Sequence, residues 1–127
     1  NEMYSAIIGV AQRISKNHPV DVVIPVATAI QNARLTELQQ YGSDLFASST
    51  DRHLEDGIGR LIAAYTALLA LVPGAKINGD EFLPVYADVT DTPQTNVFSD
   101  VTSDMAYIGR TCAHAAIKYP YETVVGE

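Results

Sequence analysis

One short run constrains the fold more than any other. Val20-Asp21-Val22-Val23-Ile24-Pro25-Val26 is β-branched, apolar and marked off by Pro19 and Pro25. It reads as a fully buried strand of the kind found inside parallel sheets. A single strand leaves its N–H and C=O groups without ladder partners, and buried backbone groups need partners. The remaining segments read as helices, so the neighbouring strands must come from elsewhere. We therefore expect the C-terminal part of a larger α/β domain. Its sheet would be completed by the remaining N-terminal part of the same protein or by a dimer mate.

Four segments carry helical spacing. Met3, Ile7, Ile8, Val10, Ala11 and Ile14 recur with a period near 3.6 over residues 3–16. Lys16-Asn17-His18-Pro19 should end that helix, with Asn17 in the left-handed cap position and Pro19 unable to continue it. Residues 27–40 are polar and helix-competent but weakly periodic, and residues 41–50 form a loop. From Leu54 to Val72 the chain is apolar nearly all round beyond Ile58, which predicts a helix buried on most sides. Glu55 and Asp56 fall in its first turn, where the dipole favours negative charge, and Pro73-Gly74 stops it. Residues 75–101 are irregular, with Phe82-Leu83-Pro84-Val85-Tyr86 extended. A last helix runs from Thr102, its N-cap, to Tyr119, with Met105, Ile108, Cys112, Ala115 and Ala116 on its buried face.

At 127 residues the chain holds one domain at most. Residues 1–72 read as its main portion, and residues 73–127 as a connector plus a helix packed on it. Fifteen acids against eight bases give a net charge of −7. No basic stripe exists to neutralise phosphates, which argues against nucleic acid. The one cysteine, Cys112, excludes an internal disulfide and any CxxC metal or redox motif. It sits among alanines, as an inert core thiol does. His18, His53 and His114 have no ligand spacing, so neither a metal nor another cofactor is expected. The longest apolar stretch, Leu61 to Val72, is too short for a bilayer. Asn1-Glu2-Met3-Tyr4 reads as a helix already under way. A signal peptide would then lie upstream, and a secreted or periplasmic parent is compatible with a single cysteine.

The chemistry concentrates in Thr50-Asp51-Arg52-His53-Leu54, an acid and a histidine at the mouth of the long apolar helix. Hydrolases hold a catalytic histidine in one tautomer and orientation with such an acid. The bland reading is that Asp51 is a helix N-cap and His53 a packing residue. Gln31, Asn32 and Arg34 follow the C-terminal end of the buried strand, where open α/β sheets bind ligands. They can line a substrate rim or simply tie down the loop, and Arg34 can pair with a loop carboxylate. Gly57 and Gly59 lack the third glycine and preceding strand of a dinucleotide motif and read as close-packing positions. Ser43, Ser48, Ser49, Ser99 and Ser103 lack the setting of a nucleophile elbow.

The segment Val23-Ile24-Pro25-Val26-Ala27-Thr28-Ala29-Ile30-Gln31-Asn32-Ala33-Arg34, linked to His53-Leu54-Glu55-Asp56-Gly57-Ile58-Gly59-Arg60, resembles the last strand, loop and helix of SGNH/GDSL-type hydrolases. The closest branch is a bacterial group described only as a domain of unknown function. The resemblance covers residues 3–72 well and the last helix loosely. It implies a flavodoxin-like three-layer α/β/α fold and serine esterase chemistry, plausibly removal of acyl groups from carbohydrate. It also implies that the nucleophilic serine and the oxyanion-hole groups precede residue 1. His53 would be the general base and Asp51 its orienting acid, with Gln31, Asn32 and Arg34 at the substrate rim. The family pattern places two residues between acid and histidine, whereas only Arg52 stands between them here. Either the loop is one residue shorter or another acid, such as Asp44, takes the orienting role. A rival expectation is a non-enzymatic α-rich module that associates with itself or a protein partner through the helix 54–72.

Overall fold

The structure is a computed structural model that describes residues 2–77 and 100–124. Its order is α1 (Glu2–Asn17), α2 (Val26–Ala33), a 3-10 turn (Glu37–Gln40), α3 (Ile58–Leu71) and α4 (Ser103–Lys118). Among the described residues there is no strand, only two isolated bridges, Ser43 with Phe46 and Phe46 with Leu54. This corrects the expected α/β, flavodoxin-like three-layer architecture: the described part of the chain is all helix and loop. The extended segment at Phe82–Tyr86 lies outside the described residues.

The correction centres on Val20–Val26. Residues 20–25 run as irregular chain, and Val20, Val22 and Ile24 are exposed rather than buried. The Val26 amide donates to the Ile24 carbonyl at 2.9 Å across Pro25, whose φ of −84° and ψ of 52° make an inverse γ-turn. The Ala29 amide then donates to the Pro25 carbonyl at 3.0 Å. Proline sets φ and lacks a donor, so it suits the entry of a helix better than the middle of a strand. The composition of the segment matches a buried strand, but its local hydrogen bonds launch α2.

Three helices make the core. α3 and α4 pack most extensively, and α2 lies across both. Ile58, Leu61, Ile62 and Tyr65 of α3 meet Met105, Ala106, Ala113 and Ala116 of α4 and Ala29, Ile30 and Ala33 of α2. Each large aliphatic side chain buried there contributes about 1.5–3 kcal/mol relative to exposure. A Cβ added to Gly109 would stand 3.0 Å from Ile62 Cγ1 and 3.2 Å from Ile58 Cδ1, so its missing side chain sets how closely α4 approaches α3. Thr102 caps α4, accepting from the Met105 amide at 3.2 Å.

α1 is held differently. None of its residues is buried, and Met3, Ile7, Val10 and Ile14 form an exposed apolar stripe. Its ties are polar. The Tyr4 hydroxyl meets Thr28 Oγ1 at 3.2 Å, and Ser15 Oγ meets the Tyr121 hydroxyl at 3.0 Å. Thr28, fully buried, passes the link on by donating to the Pro120 carbonyl at 2.6 Å. Asn17 does not adopt the left-handed cap; it stays helical, and its Nδ2 donates to the Arg13 carbonyl at 2.9 Å.

Candidate functional site: an aspartate–histidine pair on a braced loop

Residues 41–57 connect the 3-10 turn to α3, and the hydrogen bonds of residues 42–55 shape them into a short hairpin-like loop. The Glu55 amide donates to the Leu45 carbonyl at 2.9 Å, the Ala47 amide to the His53 carbonyl at 2.8 Å, and the Ser48 amide to the Asp51 carbonyl at 3.3 Å. The base of the loop turns at Gly42, whose φ is +59°. A Cβ there would lie 2.2 Å from the Phe46 carbonyl oxygen, a distance only glycine avoids. Asp44 and Leu45 follow at φ of 54° and 65°. Arg34 holds Asp44 at 3.0 Å, and Gln39 Nε2 donates to its other oxygen at 3.1 Å. Leu45 is fully buried, pinning the strained pair to the core.

At the tip, Ser48 Oγ accepts from the Thr50 amide at 3.3 Å and the Asp51 amide at 2.9 Å. Asp51 then accepts at one oxygen, Oδ1, from the His53 amide at 2.9 Å and faces His53 Nδ1 at 2.6 Å. These hydrogen bonds, the backbone amide first and the imidazole second, hold the Asp51 carboxyl below its usual value near 3.8. An ionised carboxylate has no proton to give, so in the neutral ring Nδ1 carries the proton and Nε2 the lone pair. His53 is 86% exposed at its side chain, which leaves that lone pair open to solvent. No hydroxyl among the described residues is hydrogen-bonded to the ring. The pair forms part of an open surface cleft with Thr50 and Arg52.

The helix behind the pair starts later than its composition suggests. α3 begins at Ile58, with Gly57 at its N-cap, so Asp51 is not the helix cap. Glu55 does that work. Its Oε1 accepts from the Gly57 amide at 2.9 Å and its Oε2 from the Gly59 amide at 3.0 Å, satisfying two of the helix's orphan donors. Gly59 is also a close-packing position, where a Cβ would stand 3.1 Å from the Leu45 carbonyl oxygen.

The other predicted positions divide. Asp44 engages Arg34 and Gln39, and the acid in contact with His53 is Asp51. Arg34 is the partner of a loop carboxylate, with Gln31 Oε1 a further acceptor at 3.5 Å. Asn32 is only 2% exposed and spends both ends of its amide on the protein. Its Nδ2 donates to the Cys112 carbonyl at 3.4 Å, and its Oδ1 accepts from the Val124 amide at 2.9 Å. It ties α2 to α4 and the chain beyond α4, while Asp51 and His53 sit together on the loop. Sequence reading passed over Phe46. The guanidinium carbons of Arg34 and Arg52 lie over its ring, 5.5 and 5.4 Å from the centroid. This platform joins α2 to the cleft, and no sequence spacing announces it.

Among the described residues no group of three or more histidine, cysteine, aspartate or glutamate side chains is placed to hold a metal ion. No curated protein and no solved structure matches the chain. One family model does match, over residues 1–116, and it carries no assignment of chemistry. With that match spanning α1 to α4, the chain belongs to the family described as Domain of unknown function (DUF4886).

Proposed function

We propose that this chain supplies the general base of an SGNH-type ester hydrolase, with His53 as the base and Asp51 as the group that orients it. The observation that carries the reading is the 2.6 Å contact between Asp51 and His53 Nδ1, with Nε2 turned to solvent. A base in this state takes a proton from a serine hydroxyl as the oxygen attacks an ester carbonyl. It then returns the proton to the leaving alcohol, while Asp51 stabilises the imidazolium formed between the two events. The serine comes from outside this chain, consistent with the sequence resemblance. The dyad stands on an exposed loop tip, which suits a bulky acylated carbohydrate better than a ligand that must be enclosed. Gln31 and Arg34 would contribute to the substrate rim.

The test is turnover of 4-nitrophenyl acetate by the natural protein that carries this segment. His53→Ala should lower kcat by about 10²–10⁴-fold, the usual contribution of general base catalysis. Turnover unchanged in that variant would remove His53 from the mechanism and end the proposal.

A second reading, a non-enzymatic association module, has one observation in its favour. The stripe Met3, Ile7, Val10 and Ile14 is exposed, and Val20, Val22 and Ile24 are exposed beside it in sequence. The helix expected to mediate such association instead has most of its apolar side in the core: Ile58, Leu61, Ile62 and Tyr65 of α3 are buried. Sedimentation velocity decides whether the α1 stripe mediates association. An Ile7→Lys variant that leaves the sedimentation coefficient of the chain unchanged would sink that reading.

A further inference from the structure

We infer that Arg52 is the specificity-determining residue of the Asp51–His53 cleft, and that it docks a carboxylate carried by the substrate. The word substrate rests on the hydrolase reading above; the anion site itself does not.

Acids outnumber bases fifteen to eight in this chain, so an arginine has many opportunities to find a carboxylate. The two other arginines around the loop have found one: Arg34 pairs with Asp44 at 3.0 Å, and Arg60 with Asp56 one helical turn away. Arg52 stands between them in sequence and is exposed; it attracts the Asp44 carboxylate only from beyond ion-pair distance, and no carboxylate among the described residues lies within that distance of it. The adjacent Asp51 is committed to His53.

Arg52 is nevertheless positioned. Its guanidinium carbon lies over the ring of Phe46, 5.4 Å from the centroid, and Phe46 is itself buried. Cation–π attraction to the ring face holds the guanidinium without using its N–H groups as hydrogen-bond donors to an acceptor atom. A fixed planar fork matches a planar carboxylate through two parallel hydrogen bonds, and less conformational entropy is lost on binding when the fork is already held. The backbone of this residue is fixed too, since it lies between Asp51 and His53, whose amide and side chain are locked together. Arg52 and His53 line the same open cleft. An ester whose acyl or alcohol part ends in a carboxylate could therefore be held by Arg52 while its carbonyl lies toward His53. A monoanion fits better than a phosphate dianion. One arginine balances one charge, and both the neighbouring Asp51 carboxylate and the net charge of −7 oppose a second.

The experiment is a binding titration of the 127-residue chain with propionate, following the His53 ring protons by NMR. Propionamide, neutral and nearly isosteric, is the comparison. Propionate should shift the His53 signals saturably and propionamide should not. Arg52→Ala should weaken propionate binding by about tenfold, the loss of one charge-assisted bidentate contact. Arg52→Lys should recover only part of it, because an ammonium cannot present the fork. Arg60→Gln removes the same charge nearby and should leave the propionate affinity unchanged. The inference is overturned if propionate gives no saturable shift, if propionamide binds equally, or if Arg60→Gln weakens binding as much as Arg52→Ala. Turnover enters none of these measurements, so a chain that binds propionate through Arg52 but belongs to no esterase would sink the hydrolase reading alone.

Discussion

The carboxylate of Asp51 grips His53 at two points through one oxygen, the backbone amide at 2.9 Å and the ring Nδ1 at 2.6 Å. The two-residue spacing makes both contacts within one small turn. The short separation of acid and histidine is thus a working geometry: the amide contact closes an Asx turn, and the turn brings the ring back onto the same oxygen. Asp51→Asn tests what the charge contributes. An asparagine can present its NH₂ group to Nδ1, which would move the ring proton to Nε2 and remove the base. The expected outcome is a reversed His53 tautomer in ¹⁵N NMR spectra at neutral pH, with any His53-dependent turnover of the natural protein falling by about 10⁴-fold. A variant that keeps the proton on Nδ1 would show that the backbone, not the carboxylate charge, sets the tautomer.

Two carboxyls of this loop should respond to acid in the same direction. Asp44 is held below its usual value near 3.8 by its hydrogen bond from Arg34, then by that from Gln39, and Asp51 by the His53 amide and ring. A carboxyl with a lowered folded value stabilises the fold fully above its unfolded value, and that contribution is lost as pH falls through the folded one. The loop should therefore hold at pH 5 and loosen below about pH 3.8. Carboxyl ¹³C titration should give midpoints below 3.8 for both residues. In Arg34→Gln the Asp44 midpoint should rise and the Asp51 midpoint should stay where it is. Movement of both by the same amount would mean that the loop titrates as one body.

Helix positions were the most legible part of the chain, because apolar spacing and caps are local signals. Thr102 at the head of α4 and the apolar run after Ile58 were both readable in that way. Two failures share a cause. Val20–Val26 has strand composition, but composition reports what a segment tolerates, not whether a neighbouring strand is present to receive its hydrogen bonds. Asp51 looked like a helix cap because any acid before an apolar run does. The actual cap, Glu55, works from four residues nearer the helix with both oxygens. At the site, the partnership of Asp51 and His53 was within reach of sequence because it spans three residues. The Phe46 platform joins residues 34, 46 and 52 through loop geometry, which no periodicity encodes.

Glu55 should therefore matter more to α3 than its half-exposed position suggests. Glu55→Ala leaves the Gly57 and Gly59 amides without their protein acceptor, and loss of a cap costs about 0.5–2 kcal/mol. Glu55→Gln keeps one acceptor oxygen and should cost less. Urea unfolding followed by circular dichroism separates the three proteins, and the order wild type, Gln, Ala in midpoint is the expected result. Equal midpoints for Ala and Gln would assign the effect to packing of the side-chain methylenes against the Gly42 turn.

Cys112 should be almost inert in the folded chain. It is 6% exposed on the inner side of α4, and burial raises its thiol to about 11. The thiolate is the reactive form, so the folded protein holds little of it at pH 8. Iodoacetamide labelling at that pH should be at least about 100-fold slower than in urea, with the residual rate tracking global opening of the α3–α4 core. Rapid labelling under native conditions would mean that α4 detaches without the rest of the chain unfolding.

Gly109 gives the sharpest test of how α3 and α4 meet. In a helix interior, glycine to alanine normally stabilises by about 1 kcal/mol through backbone entropy and propensity. At this position the new methyl would lie 3.0 Å from Ile62 Cγ1 and 3.2 Å from Ile58 Cδ1, inside ordinary contact distance. Both isoleucines are buried, at 0% and 1% exposure, so neither can swing into solvent. Overpacking of a tight core costs about 1–3 kcal/mol, which exceeds the propensity gain. Gly109→Ala should thus lower the urea midpoint, and Gly109→Ala combined with Ile58→Val should recover part of the loss, because the second change removes the Cδ1 methyl that stands 3.2 Å from the new side chain. Thermal and urea midpoints that rise in the single variant would show that α4 can move away from α3 at little cost, and that the seam between them is looser than the distances at Gly109 imply.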